Sequence, residues 1–211
     1  MKLLRFDWKN IALGFVSLIV TVAVCEIIVR GFVTVRDVGP AFTVYDSVYG
    51  KSLKKNFSTT RIAPEFTMTM TTNSDGFRGP EITPHTLRPI LFLGDSFTMG
   101  YGVNDGEEYP ARIRTALQEQ VSGGVPVINA GVGDSGIGRW IKFIRNEGER
   151  IDPGLIVLQI NRTDFMDNAR EGYFELTDSN ELRELPVSEP SVQRRLQSVV
   201  ELIPGLSNSH L

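Results

Sequence analysis

The 211 residues, 41% hydrophobic and 22% charged, suffice for one globular domain of ordinary size with a buried core. A formal net charge of -3, a pI near 5.5 and the lack of any dense Lys/Arg run remove the basic field that a nucleic-acid partner requires. Cys25 is the only cysteine, which excludes an intramolecular disulfide and every metal motif built on two cysteines.

Residues 11–25 are an uncharged, mostly apolar run that resumes after Glu26 as Ile27-Ile28-Val29, about 19 residues against the ~20 needed to span hydrocarbon. Lys2, Arg5 and Lys9 precede it against one acid, Asp7. The positive-inside rule therefore predicts a single-pass anchor over 11–29, with residues 1–10 cytoplasmic and everything beyond Arg30 extracytoplasmic, in a periplasm or at the cell surface. A cleaved signal peptide is the competing reading. Val22-Ala23-Val24 lacks the small-x-small pattern that precedes a cleavage site, and Val24 also argues against lipoprotein processing at Cys25.

Residues 31–88 carry no long helical period and read as a connector with short β elements, the clearest being the alternation in Phe66-Thr67-Met68-Thr69-Met70-Thr71. From Pro89 the texture changes. Three short apolar runs follow, Ile90-Leu91-Phe92-Leu93, Val125-Pro126-Val127-Ile128-Asn129 and Leu155-Ile156-Val157-Leu158-Gln159-Ile160, each of the kind expected for a strand covered on both faces. Helix-compatible segments at about 109–121 and 137–149 separate them, so residues 89–168 read as βαβ units forming a parallel sheet between helices. Residues 169–211 are polar, with acids and turn formers from Glu171 to Glu189 and a helical apolar period from about Ser191 to Ile203.

In an open parallel sheet, ligands bind beyond the carboxyl ends of the strands. The first run ends in Gly94-Asp95-Ser96, where glycine lets backbone approach closely and a serine at a strand-to-helix turn can present both its hydroxyl and its N–H to one carbonyl. Asp95 and Asp164 read as turn-stabilising carboxylates at strand ends, and Trp140 as core. Asp152, Asp164, Asp167 and Glu171 lie near in sequence, but nothing beyond acidity marks a metal site.

The block from Ile90 through Gly94-Asp95-Ser96-Phe97-Thr98-Met99-Gly100-Tyr101-Gly102 to Val103 resembles the first conserved block of the SGNH (GDSL) hydrolases. Asn73-Ser74-Asp75-Gly76-Phe77-Arg78-Gly79 resembles a lead-in found in membrane-anchored bacterial members. Asn129-Ala130-Gly131-Val132-Gly133-Asp134-Ser135-Gly136 resembles the second block, and Thr163-Asp164-Phe165-Met166-Asp167-Asn168 the third. The resemblance covers residues 73–168. It implies a flavodoxin-like α/β/α sandwich, C-terminally incomplete, with Ser96 as nucleophile and no cofactor or metal.

The resemblance further implies three oxyanion donors: the Ser96 N–H, a glycine N–H from the second block and an asparagine side chain from the third. Removing one such donor typically costs ~3 kcal/mol of transition-state stabilisation. Asp134 stands where that glycine is usual, with Gly133 one place early, so the backbone donor is expected from either, provided the Asp134 carboxylate points away from the forming oxyanion. Thr163 stands where the asparagine is usual, and Asn161 two residues earlier is the alternative donor. The family's C-terminal Asp-x-x-His, which supplies the base, has no counterpart. His210 has Ser207 three residues before it, and both His210 and His85 read first as solvated loop histidines and only second as a base. The expectation is that the chain stops short of the strand and loop that would carry the histidine, leaving apolar surface on the open sheet.

Two functions follow. One is a serine esterase, or an acyltransferase sharing its acyl-enzyme, acting on O-acyl groups of an envelope glycan or lipid or on a small ester outside the membrane. The other is a non-catalytic fragment or binding module that keeps the fold without the base.

Overall fold

In a computed structural model of the chain, residues 8–32, 39–82 and 87–190 are described. The first element is a helix, α1 (Trp8–Phe32), whose large apolar side chains from Trp8 to Ile28 stand exposed. Trp8–Ile28 is long and apolar enough to cross a membrane, with a mean hydropathy of 2.5, a test that a signal sequence near an N-terminus also passes.

The connector forms two antiparallel hairpins, β1 (Thr43–Asp46) with β2 (Gly50–Leu53), and β3 (Ser58–Ile62) with β4 (Thr67–Thr71). Asp46 closes the first turn by accepting the Val48 and Tyr49 amides at its Oδ1. In β4 the alternation read from the sequence is realised: Met68 and Met70 are fully buried while Thr67, Thr69 and Thr71 face solvent.

The α/β layer follows. Strand β5 (Ile90–Leu93) is the centre of a three-stranded parallel sheet of order β6-β5-β7, with β6 (Val127–Asn129) on one side and β7 (Leu155–Leu158) on the other. Parallel neighbours need crossovers, supplied by α3 (Tyr109–Gln120) and α4 (Ile137–Ile151). This is the order of the first three strands of a flavodoxin-like sheet, so the α/β class expected from the alternation is the class adopted.

Side-chain alternation along β5 assigns the two helical layers. Leu91 and Leu93 join Ile128, Ala130 and the α4 residues Trp140, Phe143 and Ile151 in the main core, while Phe92 points the other way onto the Tyr109 ring of α3, 5.5 Å between centroids. A second cluster of Leu53, Met68, Met70, Met99 and Val132 joins the hairpins to the carboxyl end of the sheet. Burying these side chains contributes roughly 1.5–3 kcal/mol apiece before chain entropy is set against it.

Two short helices complete the layer, α2 (Ser96–Met99) directly after β5 and α5 (Arg162–Glu171) after β7. Within the stretch expected to be a polar tail, β8 (Phe174–Leu176) and β9 (Leu182–Glu184) form a further hairpin. The helical period expected from Ser191 to Ile203 lies outside the described residues, as do His85 and His210.

Candidate active site

The chain leaves β5 in one direction to reach β6 and returns across it to reach β7, which puts the reversal of strand order between β5 and β7. The carboxyl ends of these two strands therefore flank the crevice where such sheets bind ligands. Ser96 follows β5 and Asn161 follows β7.

Ser96 is the first residue of α2 and half-buried. Gly94 must be glycine, because a Cβ there would lie on the Thr98 hydroxyl and within 2.8 Å of its Cβ. Asp95 is buried and caps α2: its Oδ1 accepts the Phe97 N–H at 2.9 Å, and its Oδ2 accepts from Asn161 Nδ2 at 2.7 Å. The turn role read for Asp95 thus extends across the crevice to β7. Gly100 ends α2 in the left-handed conformation at φ 86, and the Ser96 carbonyl accepts from both Gly100 and Tyr101.

The loop after β6 lies against this turn. A Cβ on Gly131 would overlap the Met99 amide, and one on Gly133 would sit 3.5 Å from the Ser96 Cβ, so the Gly133 backbone is the part of the second block that faces Ser96. Asp134 takes the left-handed conformation at φ 51 and its side chain is 77% exposed, facing Lys51 Nζ at 3.4 Å. The same ammonium donates to the Gly133 carbonyl at 3.0 Å. The Asp134 carboxylate is thereby held by a cation and turned to solvent.

On the β7 side, Asn161 caps α5 in a capping box: its Oδ1 accepts the Thr163 N–H at 2.7 Å, and Asp164 Oδ2 accepts the Asn161 N–H at 2.6 Å. Thr163 is exposed, and its hydroxyl proton goes to Asn161 Oδ1. The structure thus brings Ser96, Gly133 and Asn161 to one crevice, while the Thr163 hydroxyl and one Asn161 amide proton are engaged in local bonds. Asp164 is fully buried, and burial raises its pKa, with Asp95 and Asp167 adding to the rise and the Asn161 N–H opposing it. Among the described residues no side chain bonds the Ser96 hydroxyl, and no group of three or more His, Cys, Asp or Glu side chains is placed to hold a metal ion.

No family model matches the chain, and no curated protein does. Among solved structures it is similar to AlinE4, an SGNH-hydrolase family esterase, at 31% identity over 40% of this chain and 45% of that one, with a TM-score of 0.32. Two mutants of the same esterase match over the same shares, at 31% and 30% identity and the same TM-score. The chain spans less than half the length of the solved structures it matches.

Arg78 is a buried hydrogen-bonding hub beside this turn that sequence reasoning did not single out. It is 1% exposed, and each of its five N–H groups has an acceptor. Nε donates to Asp105 Oδ1 at 3.1 Å, Nη1 to the Met99 and Gly100 carbonyls at 3.0 and 2.6 Å, and Nη2 to the Thr69 and Val103 carbonyls at 3.1 and 2.8 Å. Its own N–H reaches the Asn129 carbonyl at 3.2 Å. One side chain therefore ties β4, the end of α2 and the following loop into a frame behind Ser96. The signal was present, since Arg78 lies in the 73–79 block that the resemblance picked out. Asn73 shapes that block by accepting the Asp75 and Phe77 amides and donating to the Pro80 carbonyl.

Proposed function

We propose that this chain carries the nucleophile half of a serine ester hydrolase centre, in which Ser96 Oγ attacks an acyl carbonyl. The observation that carries the reading is the placement of Ser96 on the first residue of a helix, at the carboxyl end of the central buried strand, with the Gly133 backbone against its Cβ. The Ser96 and Gly133 N–H groups are the backbone oxyanion donors in this reading, and the second Asn161 amide proton is the side-chain donor. As the C–O bond of the tetrahedral intermediate breaks, the alcohol leaves with the proton that the base took from Ser96. Water or a sugar hydroxyl then receives the acyl group. The base is a histidine supplied from outside the described residues, with His210 and His85 the two this sequence contains.

In the same reading α1 is an uncleaved anchor with its basic end in the cytoplasm, so the crevice faces the envelope and its substrates are O-acylated glycans or lipids there. The charge order around Trp8–Ile28 supports that orientation.

Labelling of the chain in membranes with a fluorophosphonate probe, with Ser96→Ala as control, tests the reading. Labelling that disappears in the variant is the expected result. A folded protein that takes no label would sink hydrolase activity for this chain. One observation favours that second reading, a binding module without catalysis: among the described residues the Ser96 hydroxyl has no hydrogen-bond partner to activate it.

A further inference from the structure

The loop that touches Ser96 is gripped from outside the α/β layer. Lys51 stands on β2 opposite Tyr45, and its carbonyl accepts from Arg139 Nε at 2.9 Å, which ties β2 to α4. Its side chain is 18% exposed and crosses to the loop after β6, where Nζ donates to the Gly133 carbonyl at 3.0 Å and meets Asp134 Oδ2 at 3.4 Å. An ammonium that gives up most of its hydration needs acceptors in return, and these two flank a single peptide unit.

Two consecutive peptides of this loop are held by their carbonyls. The Val132 carbonyl accepts from the buried Ser135 hydroxyl at 2.6 Å, and the Gly133 carbonyl from Lys51. Both peptides are trans, so each carbonyl points opposite to the N–H of the residue that follows. Fixing the Val132 carbonyl therefore fixes the direction of the Gly133 N–H, and fixing the Gly133 carbonyl fixes that of the Asp134 N–H. Neither N–H has an acceptor among the described residues. Asp134 moreover sits at φ 51, a left-handed conformation that the surroundings must hold in a residue other than glycine. These two unclaimed donors stand next to the nucleophile, since a Cβ on Gly133 would lie 3.5 Å from the Ser96 Cβ and 3.9 Å from its Cα.

We propose that Lys51 is a positioning residue of the candidate hydrolase centre: by holding the Gly133 carbonyl it fixes the Asp134 N–H as an oxyanion donor beside that of Gly133. The inference rests on the hydrolase reading of Ser96. A cation on the carbonyl also polarises the peptide, which strengthens its N–H as a donor. The plain alternative is a strut that joins the hairpin to the loop and has no bearing on the chemistry.

The test is the rate of Ser96 labelling in the full chain, in membranes, by a fluorophosphonate and by its thiono analogue, in which a sulfur replaces the phosphoryl oxygen that the donors would hold. Sulfur accepts hydrogen bonds weakly, so the oxo probe depends on those donors more than the thiono probe does. Lys51→Met should slow the bond-forming step of the oxo probe by roughly 10–100-fold, as expected for a donor misplaced rather than deleted. The half-saturating probe concentration should stay unchanged, and the thiono rate should fall far less. Lys51→Arg, which keeps a cationic donor, should recover most of the loss. Should Lys51→Met fail to fold, Lys51→Gln, which carries no charge to the carbonyl, is expected to show the same fall in the oxo-to-thiono ratio. Equal slowing of both probes would leave Lys51 a strut, and no slowing would remove it from the site; either overturns the proposal while Ser96 remains a nucleophile. A folded parent that takes neither probe would overturn the hydrolase reading itself, and the role of Lys51 with it.

Discussion

Strands β5 and β7 are hydrogen-bonded neighbours of nearly the same composition, Ile-Leu-Phe-Leu and Leu-Ile-Val-Leu, and their surroundings are opposite. Leu91, Phe92 and Leu93 are 0–2% exposed, covered by α4 on one face and α3 on the other, whereas Leu155 and Leu158 are 53% and 48% exposed and Ile160 just beyond is 52%. An apolar run states that a strand requires cover on both faces. Other segments supply that cover, and here the described ones reach only as far as β5. The candidate site straddles this boundary: Ser96, Gly94 and Gly131 stand on the covered side, where the two glycines are in close contact with Thr98 and Met99, while Asn161 and Thr163 stand on the open side, turned into a local cap except for the Asn161 Nδ2 bond to Asp95.

Arg78 tests the covered side hardest. Arg78→Met removes the donor to the Thr69, Met99, Gly100 and Val103 carbonyls and leaves the buried Glu108 carboxylate, 3.9 Å from Arg78 Nε, without that cation, and a loss of about 3–5 kcal/mol is expected from the denaturant midpoint. The two leucines then break the comparison directly. Leu93→Ala should cost about 2–5 kcal/mol, since it opens a cavity in a closed core. Leu158→Ala should cost about 1 kcal/mol or less, since half of that side chain already faces water. Equal costs would mean that β7 is covered in solution.

How far this could be read from the sequence follows the same boundary. Local chemistry was legible: the Thr-Met alternation of β4, the Asp95 cap, the buried Trp140 and helices 109–120 and 137–151 within two residues of expectation. Each depends on neighbours a few positions apart. Arg78 was not legible as a hub because its acceptors come from residues 69, 99, 100, 103 and 105, which only the fold assembles. The burial of Arg139 was likewise hidden inside an ordinary amphipathic helix. The β8–β9 hairpin had a signal, with Thr177-Asp178-Ser179-Asn180 as turn formers between two short runs, but the acidity of the stretch masked it. Apolar surface on an open sheet was expected, but that β7 carries it could not be seen, since its residues are those of a covered strand.

Glu171 offers a finer test, because it joins the two sides. It is the last residue of α5, which follows β7, and its Oε2 accepts the Gly136 N–H at 3.1 Å from the loop that follows β6. Burial there pushes its pKa from 4.5 up to about 7, with the Gly136 N–H, Arg139 and Lys51 pulling it down and Asp167 adding to the rise. Between these two values the folded chain holds a proton that the unfolded chain has released, so stability falls as pH rises through that window. Glu171→Gln keeps an oxygen for the Gly136 N–H and cannot ionise. The variant should match the parent near pH ~4 and exceed it by about 1–2 kcal/mol near pH ~8, the full shift being discounted because the carboxyl is partly exposed. Urea midpoints at the two ends of that range measure the difference. A gap that does not change with pH would mean that Glu171 is solvated and α5 is not docked on the 130–136 loop. The β5–β7 ladder and the Asp95–Asn161 bond would then be what couples the open side to the covered one.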